Sequence, residues 1–435
     1  MLKRSFFGWG RQRIPYQQLA AGSPQLLSIP RPSRITVYIP HPLENLDKAG
    51  VKPGDQVQAG EKLALGDNPD AYAITPAAGS VVALEPFMGN YGRKLTAVTL
   101  DVAEADEWSE AACTGWDAPQ LADRAPYLAS LPGGWPQALL GNDSGDAEES
   151  AQPAIHTIVV SAADPDLLVG TRRYILETEK EFIHAGMGQL KALTGIEKVV
   201  IIAGRDMTQG YGHLGASMQA AGAFYPDALP RNIVRDVFGE DIPAGSSVES
   251  RGYAFISIET VAALGHTVKE GQPAREKTVT LINKEGEQVL ARALLGTPVS
   301  ELLKANGISL GEGDRLISGG PMTGQALYAV TQPVTAGTDA IMVQDKKDIA
   351  LASDYPCINC GECVRNCPAR IQVNMLVRFL EARQYETAAD EYDLLACIDC
   401  GLCSYVCVSK IPIFQYITLG KFELERVKQL EAENA

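Results

Sequence analysis

From residue 34 to residue 101, apolar and polar positions alternate over short stretches. RITVYIP, TPAAGSVVALEP and KLTAVTLDV have strand length, and KPGD and QAGEK punctuate them as turns, which predicts a domain of short strands. After residue 154 the pattern changes. IHTIVVSAA and KVVIIAG are near-continuous apolar runs, as strands buried on both faces require. Between them DLLVGTRRYILETEKEFIHAGMGQLKALTG has helix length and stops at Gly195. A strand–helix–strand unit of this kind predicts a parallel pair. Further on, KTVTLINKEG and EQVLARALLG read as a hairpin, and TPVSELLKANG as a helix closed by Gly307. From residue 346 onward the pattern is helical, and Val373, Leu376, Val377 and Leu380 fall at helical spacing as a packing stripe.

Two segments lack such a pattern. Residues 1–30 form a basic, aromatic arm with Lys3, Arg4, Phe6, Phe7, Trp9, Arg11 and Arg13, expected to wrap its own protein or to dock a membrane partner. Residues 102–154 are acidic and rich in Gly, Ser and Pro, and read as a linker or mobile loop. Composition narrows the function. Against 38 Lys and Arg stand 53 Asp and Glu, a net charge of −15, which argues against nucleic acid as a partner. No apolar run reaches the roughly 18–20 residues that span a bilayer and no secretory signal is visible, so a cytosolic location is expected. The five histidines, His41, His156, His184, His213 and His266, show no paired ligand spacing. GYGHLG, residues 210–215, matches a dinucleotide-loop pattern but does not abut the strand KVVIIAG, so a glycine-tolerant loop or helix start is the better reading.

The chemistry sits in the cysteines. Eight of nine fall in two runs, CINCGECVRNCPAR from Cys357 and CIDCGLCSYVCVSK from Cys397; Cys113 stands alone. Each run places three cysteines two residues apart and a fourth after three more. In a reducing compartment such clustering points to metal rather than to disulfides. Thiols spaced by two residues lie on one tight turn, so each can bind a different iron of a cubane, and Gly361 and Gly401 let the backbone curl around it. In proteins with two such runs the fourth cysteine serves the other cluster. The expected ligands are therefore Cys357, Cys360, Cys363 and Cys407 for one [4Fe–4S] cluster, and Cys397, Cys400, Cys403 and Cys367 for the second. Val408 stands where a proline usually follows the fourth cysteine; a proline there is not a ligand, so binding should survive.

Two resemblances extend this reading. VKPGDQVQAGEKL paired with TPAAGSVVAL is similar to the biotinyl/lipoyl barrel-sandwich fold, but the intervening GDNPDAYAI lacks the lysine of a swinging arm. With SGGPMTG at 318–324, PVTAGTDAIMV at 333–343 and the two cysteine runs, the chain from about residue 30 resembles the C subunit of Rnf-type ion-translocating electron transport complexes. That resemblance implies a multidomain α/β and α+β protein. It has an arm (1–30), a barrel-sandwich domain (31–101), a linker (102–154) and an α/β domain similar to the NADH- and FMN-binding subunit of respiratory complex I (155–248). A β-grasp domain (249–345), a dicluster domain (346–425) and a tail (426–435) follow. It also implies a peripheral subunit on the cytoplasmic face of the inner membrane, with membrane subunits and a ferredoxin-like electron-transfer subunit as partners. The family's middle domain uses a glycine-rich loop and a Gly-Gly-Glu segment for FMN and NADH. Here the counterparts are LPGGWPQALLG (Leu131–Gly141) and FYPDALPRNIVRD (Phe224–Asp236), where Trp135 and Leu229 stand in place of bare backbone. The expectation is an iron–sulfur electron-transfer subunit whose FMN and NADH site is weakened or lost; the alternative is a non-catalytic adaptor wiring a soluble donor to membrane subunits.

Overall fold

The computed structural model describes residues 12–16, 26–43, 50–66, 68–116, 120–140, 155–208, 214–353 and 355–434. It divides into two compact units, one of residues 17–221 and 248–347, the other of residues 1–16, 222–247 and 348–435.

The first unit contains three sheet systems. Strands Arg34–Ile39, Lys94–Val102, Gly79–Met88 and Gln56–Val57 form an antiparallel sheet in that order, and Lys62–Leu65 pairs with Asn68–Ile74. Their alternating apolar positions, among them Ile35, Ile39, Leu63, Val81, Val98 and Leu100, close a common core. The second system is wholly parallel, in the order Ser217–Ala220, Val199–Ala203, Thr157–Ser161, Tyr253–Ser257. The two central strands are buried along their whole length. Helices Lys180–Thr194 and Ile258–Glu270 pack backbone to backbone: a Cβ on Gly186 would stand 1.8 Å from the carbonyl oxygen of Val261, and one on Gly265 1.9 Å from that of Phe182. The third system is six-stranded and mixed, built on the hairpin Glu276–Ile282 with Gln288–Leu294. A buried charge cluster lies between the second and third systems. Lys277, with no exposed surface, meets Glu259 and, at 2.9 Å, Asp339, which also pairs with Arg172 at 3.3 Å. Asp166 accepts the backbone N–H groups of Met322 and Thr323 at 3.1 and 2.8 Å, tying SGGPMTG to the loop after the first parallel strand.

In the second unit, Ile14–Pro15 pairs antiparallel with Phe224–Tyr225, and helix Pro230–Phe238 follows. The helices after residue 361 enclose a core of Ile371, Leu376, Val377, Leu394, Ile413 and Ile417. Val373 and Leu380 are buried with them, so the whole stripe faces inward.

Four sequence expectations are corrected. The tract 102–154 is not a plain linker: helices Glu110–Cys113 and Leu121–Ser130 fold within it, and Trp116, Tyr127, Leu128, Leu131, Trp135 and Leu139 join the core of the parallel sheet. Residues 141–154 lie outside the described residues. The long helix is two, Thr171–Thr178 and Lys180–Thr194, because Glu179 leaves helical geometry (φ −112°, ψ 33°) with its carboxylate engaged by His266 and Arg292. Residues 222–247 pack with the cysteine-bearing unit rather than with the α/β sheet. Residues 426–434 of the expected tail belong to the helix Ile413–Asn434. The basic positions from Lys3 to Arg11, and most of GYGHLG including His213, lie outside the described residues.

Candidate metal centre

The two cysteine runs fold as one motif repeated. In the first, Asn359 and Gly361 take left-handed conformations (φ 56° and 73°), as Asp399 and Gly401 do in the second (φ 56° and 69°). Each pair bends the Cys-x2-Cys stretch around a concave side before a short helix, Glu362–Asn366 or Leu402–Val406. Each helix ends at the fourth cysteine, whose N–H bonds to Val364 in one case and Ser404 in the other, both at 3.2 Å. A further left-handed residue, Arg370 (φ 59°) or Lys410 (φ 57°), then reverses the chain into helix Val373–Glu381 or Ile413–Asn434. Lys410 N–H reaches the Cys407 carbonyl at 3.3 Å, matching Arg370 to Cys367 at 3.2 Å. The turn after the second run is therefore made with Val408 in the proline's place.

The repeat brings thiols together across the runs. One cavity is lined by Cys357, Cys360, Cys363 and Cys407. Burial pushes the Cys363 thiol up to about 11, and neighbouring Cys357, Cys360 and Cys407 add to the shift. In the second group, burial pushes Cys400 up to about 12 with Cys367 beside it. Cys403 is also raised well above the ordinary thiol value, by burial first and then by Cys397, Cys400 and Cys367. Cys397 also rises to about 12, through burial and then Asp399. Such crowded thiols resist ionising together unless a cation holds them. Among the described residues, no three His, Cys, Asp or Glu side chains converge closely enough for a single metal ion. Four thiols lining one cavity, as in the first group, fit a cluster in which each iron takes one sulfur. Backbone N–H groups complete the cradle: Asp399 N–H points at Cys397 Sγ from 3.5 Å, and those of Val364, Leu402 and Ser404 face Cys363, Cys400 and Cys403.

The two groups differ in their surroundings. In the first, Cys360 is exposed, and Tyr355, Ile358 and Val408 beside the run are 76%, 65% and 47% exposed. In the second, Cys400 and Cys403 are buried, and parts distant in sequence brace them. Tyr225, itself buried, donates its hydroxyl to the Cys400 carbonyl at 2.6 Å. Lys421 donates to the Cys397 carbonyl at 2.8 Å and to Asp399 at 2.7 Å. The equivalent carbonyl of the first run, Cys360, accepts from exposed Arg365 at 2.9 Å. Buried Asn366 accepts the Gln12 N–H at 2.6 Å, so the N-terminal segment closes on the first short helix. Sequence reasoning did not find Tyr225, Lys421 or Asn366; no local pattern marks them. Cys113 lies at the end of its helix, half-buried, and His184 is exposed.

At the flavin-loop counterpart, Leu131, Trp135 and Leu139 are buried in the core. A Cβ on Gly133 would stand 2.4 Å from Thr260 Oγ1. At the other counterpart, Leu229 caps the helix Pro230–Phe238 and Tyr225 is the brace of Cys400.

Comparison with known proteins agrees with the cysteine geometry. Residues 356–411 match the family described as 4Fe-4S dicluster domain. The C subunits of ion-translocating oxidoreductase complexes from several bacteria align along most of the chain. That of Pseudomonas aeruginosa is 28% identical over 408 residues, covering 88% of this chain and 52% of the relative. The Klebsiella pneumoniae protein is 25% identical, with coverages of 97% and 57%, and the Rhodobacter capsulatus protein 26%, with 84% and 73%. The chain thus spans little more than half the length of several of these relatives. Among solved structures, an H2-reduced NAD+-reducing [NiFe]-hydrogenase superposes with a TM-score of 0.44 at 14% identity, covering 72% of this chain and 62% of that one. The chain is a homologue of the C subunits of ion-translocating oxidoreductase complexes, with a 4Fe-4S dicluster domain near its C-terminal end.

Proposed function

We propose that the protein is an iron–sulfur electron-transfer subunit of an Rnf-like membrane complex, with Cys357, Cys360, Cys363 and Cys407 holding one [4Fe–4S] cluster and Cys397, Cys400, Cys403 and Cys367 the other. The observation that carries this is the crossing of the fourth cysteines: Cys407 lies with the first three-cysteine turn and Cys367 with the second. Clusters bound there would supply one-electron chemistry. The chain's own part is to hold the thiolates, to direct backbone N–H groups at the sulfurs, and to exclude water from the second group more than from the first.

The partners we propose are membrane subunits of the complex and a ferredoxin-like electron-transfer subunit. The first group is where that subunit has access, since Cys360 is exposed and apolar Tyr355, Ile358 and Val408 flank it. No described helix is long and apolar enough to cross a membrane, and the proposed attachment is peripheral, at the cytoplasmic face. The adaptor reading, without NADH oxidation, is favoured by one observation: Leu131 and Trp135 fill the core where a flavin loop would need bare backbone to reach a phosphate. Without a flavin, a hydride donor cannot readily feed one-electron centres. The test is to mix anaerobic, cluster-loaded protein with NADH and added FMN. Unchanged visible absorbance, with bleaching by a reduced ferredoxin, supports the adaptor. Rapid bleaching with one FMN bound per chain overturns it.

A further inference from the structure

Behind the second cysteine run lies a cavity of about 450 Å³, wholly within the cysteine-bearing unit. Its volume is in the range of small-molecule sites, about 300–1,000 Å³. Three arginines line it: Arg231 and Arg235 from the helix Pro230–Phe238, and Arg370 from the turn after Cys367. Pro368, Ala396 and Ile398 add apolar lining and stand next to Cys367 and Cys397 in the chain.

The charges of this cavity are incompletely matched. Arg235 is held by Asp236 at 2.6 and 2.9 Å. Asp241 also lines the cavity and acts on Arg235. Half-buried Arg231 donates, among the described residues, to the backbone carbonyls of Ile242 and Ser246. Among the described residues, no carboxylate lies within ion-pair distance of Arg231 or of exposed Arg370. Elsewhere in the chain the partly buried Arg172, Arg173, Arg275 and Arg292 each meet a carboxylate. In a chain of net charge −15, two guanidinium groups that line one cavity without a carboxylate at ion-pair distance form a site for an oxyanion.

We propose that this cavity binds a phosphorylated small molecule, its phosphate between Arg231 and Arg370 and its apolar body against Pro368, Ala396 and Ile398. The occupant would lie against both chain segments that lead to the buried cysteine group. The proposal rests on the cavity's own chemistry. Failure of the cluster reading would appear in the iron content, and failure of this one would leave iron unchanged.

The test is calorimetric titration of the full-length, anaerobically purified protein in a buffer free of oxyanions, with phenyl phosphate, inorganic phosphate and a pentaglutamate peptide as probes. Phenyl phosphate should bind one site per chain, about tenfold more tightly than inorganic phosphate because its ring is buried. Arg370→Gln, at an exposed position, should weaken it about tenfold while leaving iron content unchanged. Arg231→Gln should do the same, and if that variant loses iron the Arg370 result decides. Arg34→Gln, a charge-matched change outside the cavity, should have no effect. A dissociation constant above about 10 mM, or equal binding by Arg370→Gln, overturns the proposal. Tighter arginine-dependent binding of pentaglutamate than of phenyl phosphate also overturns it, and assigns the pocket to a partner protein's carboxylates.

Discussion

Tyr225→Phe isolates one atom that braces the buried cysteine group. The Tyr225 hydroxyl is 2.6 Å from the Cys400 carbonyl, both residues are buried, and the ring packs edge-on against Tyr16 at 5.9 Å. Removing the hydroxyl keeps the ring contact and leaves the carbonyl without this donor, where water has little access. The cost of such an orphaned buried acceptor is about 1–3 kcal/mol. A shift of roughly 4–8 °C per kcal/mol for a domain of about 100 residues puts the melting midpoint at least several degrees lower. The repeat supplies its own control. At the equivalent carbonyl of Cys360 the donor is exposed Arg365, so in Arg365→Ala water can take the donor's place and the midpoint should stay at the parent value. The assay is anaerobic thermal denaturation of the cluster-loaded protein, with visible absorbance for cluster loss and circular dichroism for the helices. Tyr225→Phe melting with the parent, or Arg365→Ala melting below Tyr225→Phe, would refute the reasoning.

Three further outcomes follow from the geometry. Cys367→Ser should alter the electron paramagnetic resonance signal of the cluster assigned to Cys397, Cys400 and Cys403 and spare the other; a change confined to the cluster of its own run would contradict the crossing. Lys277→Met leaves Glu259 and Asp339 buried without their shared cation, which should cost about 3–5 kcal/mol in chemical denaturation, with Glu259→Gln in the same chain recovering part of it. At Asp106, burial works to raise the carboxyl, but Arg31, the Ala78 N–H and Arg275 outweigh it and hold it well below the usual carboxylate range. Its stabilisation is therefore complete above the unfolded value of about 4 and is lost as pH falls through the folded value, so Asp106→Asn should flatten the acid limb of stability against pH.

What the sequence revealed was local. The stripe Val373–Leu380, the hairpin at 276–294 and the parallel strand pair around the helical region each repeat a short-range period, and each is present as read. What it hid depends on distant pairing. Acidic, glycine and proline residues around 102–140 mask the widely spaced Trp116, Leu128, Leu131 and Trp135, which become core only because the parallel sheet lies against them. Tyr225 looks like part of an α/β domain, yet its hydroxyl reaches a carbonyl 175 residues away. Arg231 and Arg370 are ordinary surface arginines in sequence and share one cavity only in the fold.

The central claim is that eight cysteines hold two iron–sulfur clusters, and total iron with acid-labile sulfide in anaerobically purified protein tests it most directly. Two four-iron cubanes predict about eight iron and about eight sulfide per chain. Near-stoichiometric zinc with little sulfide would contradict the account.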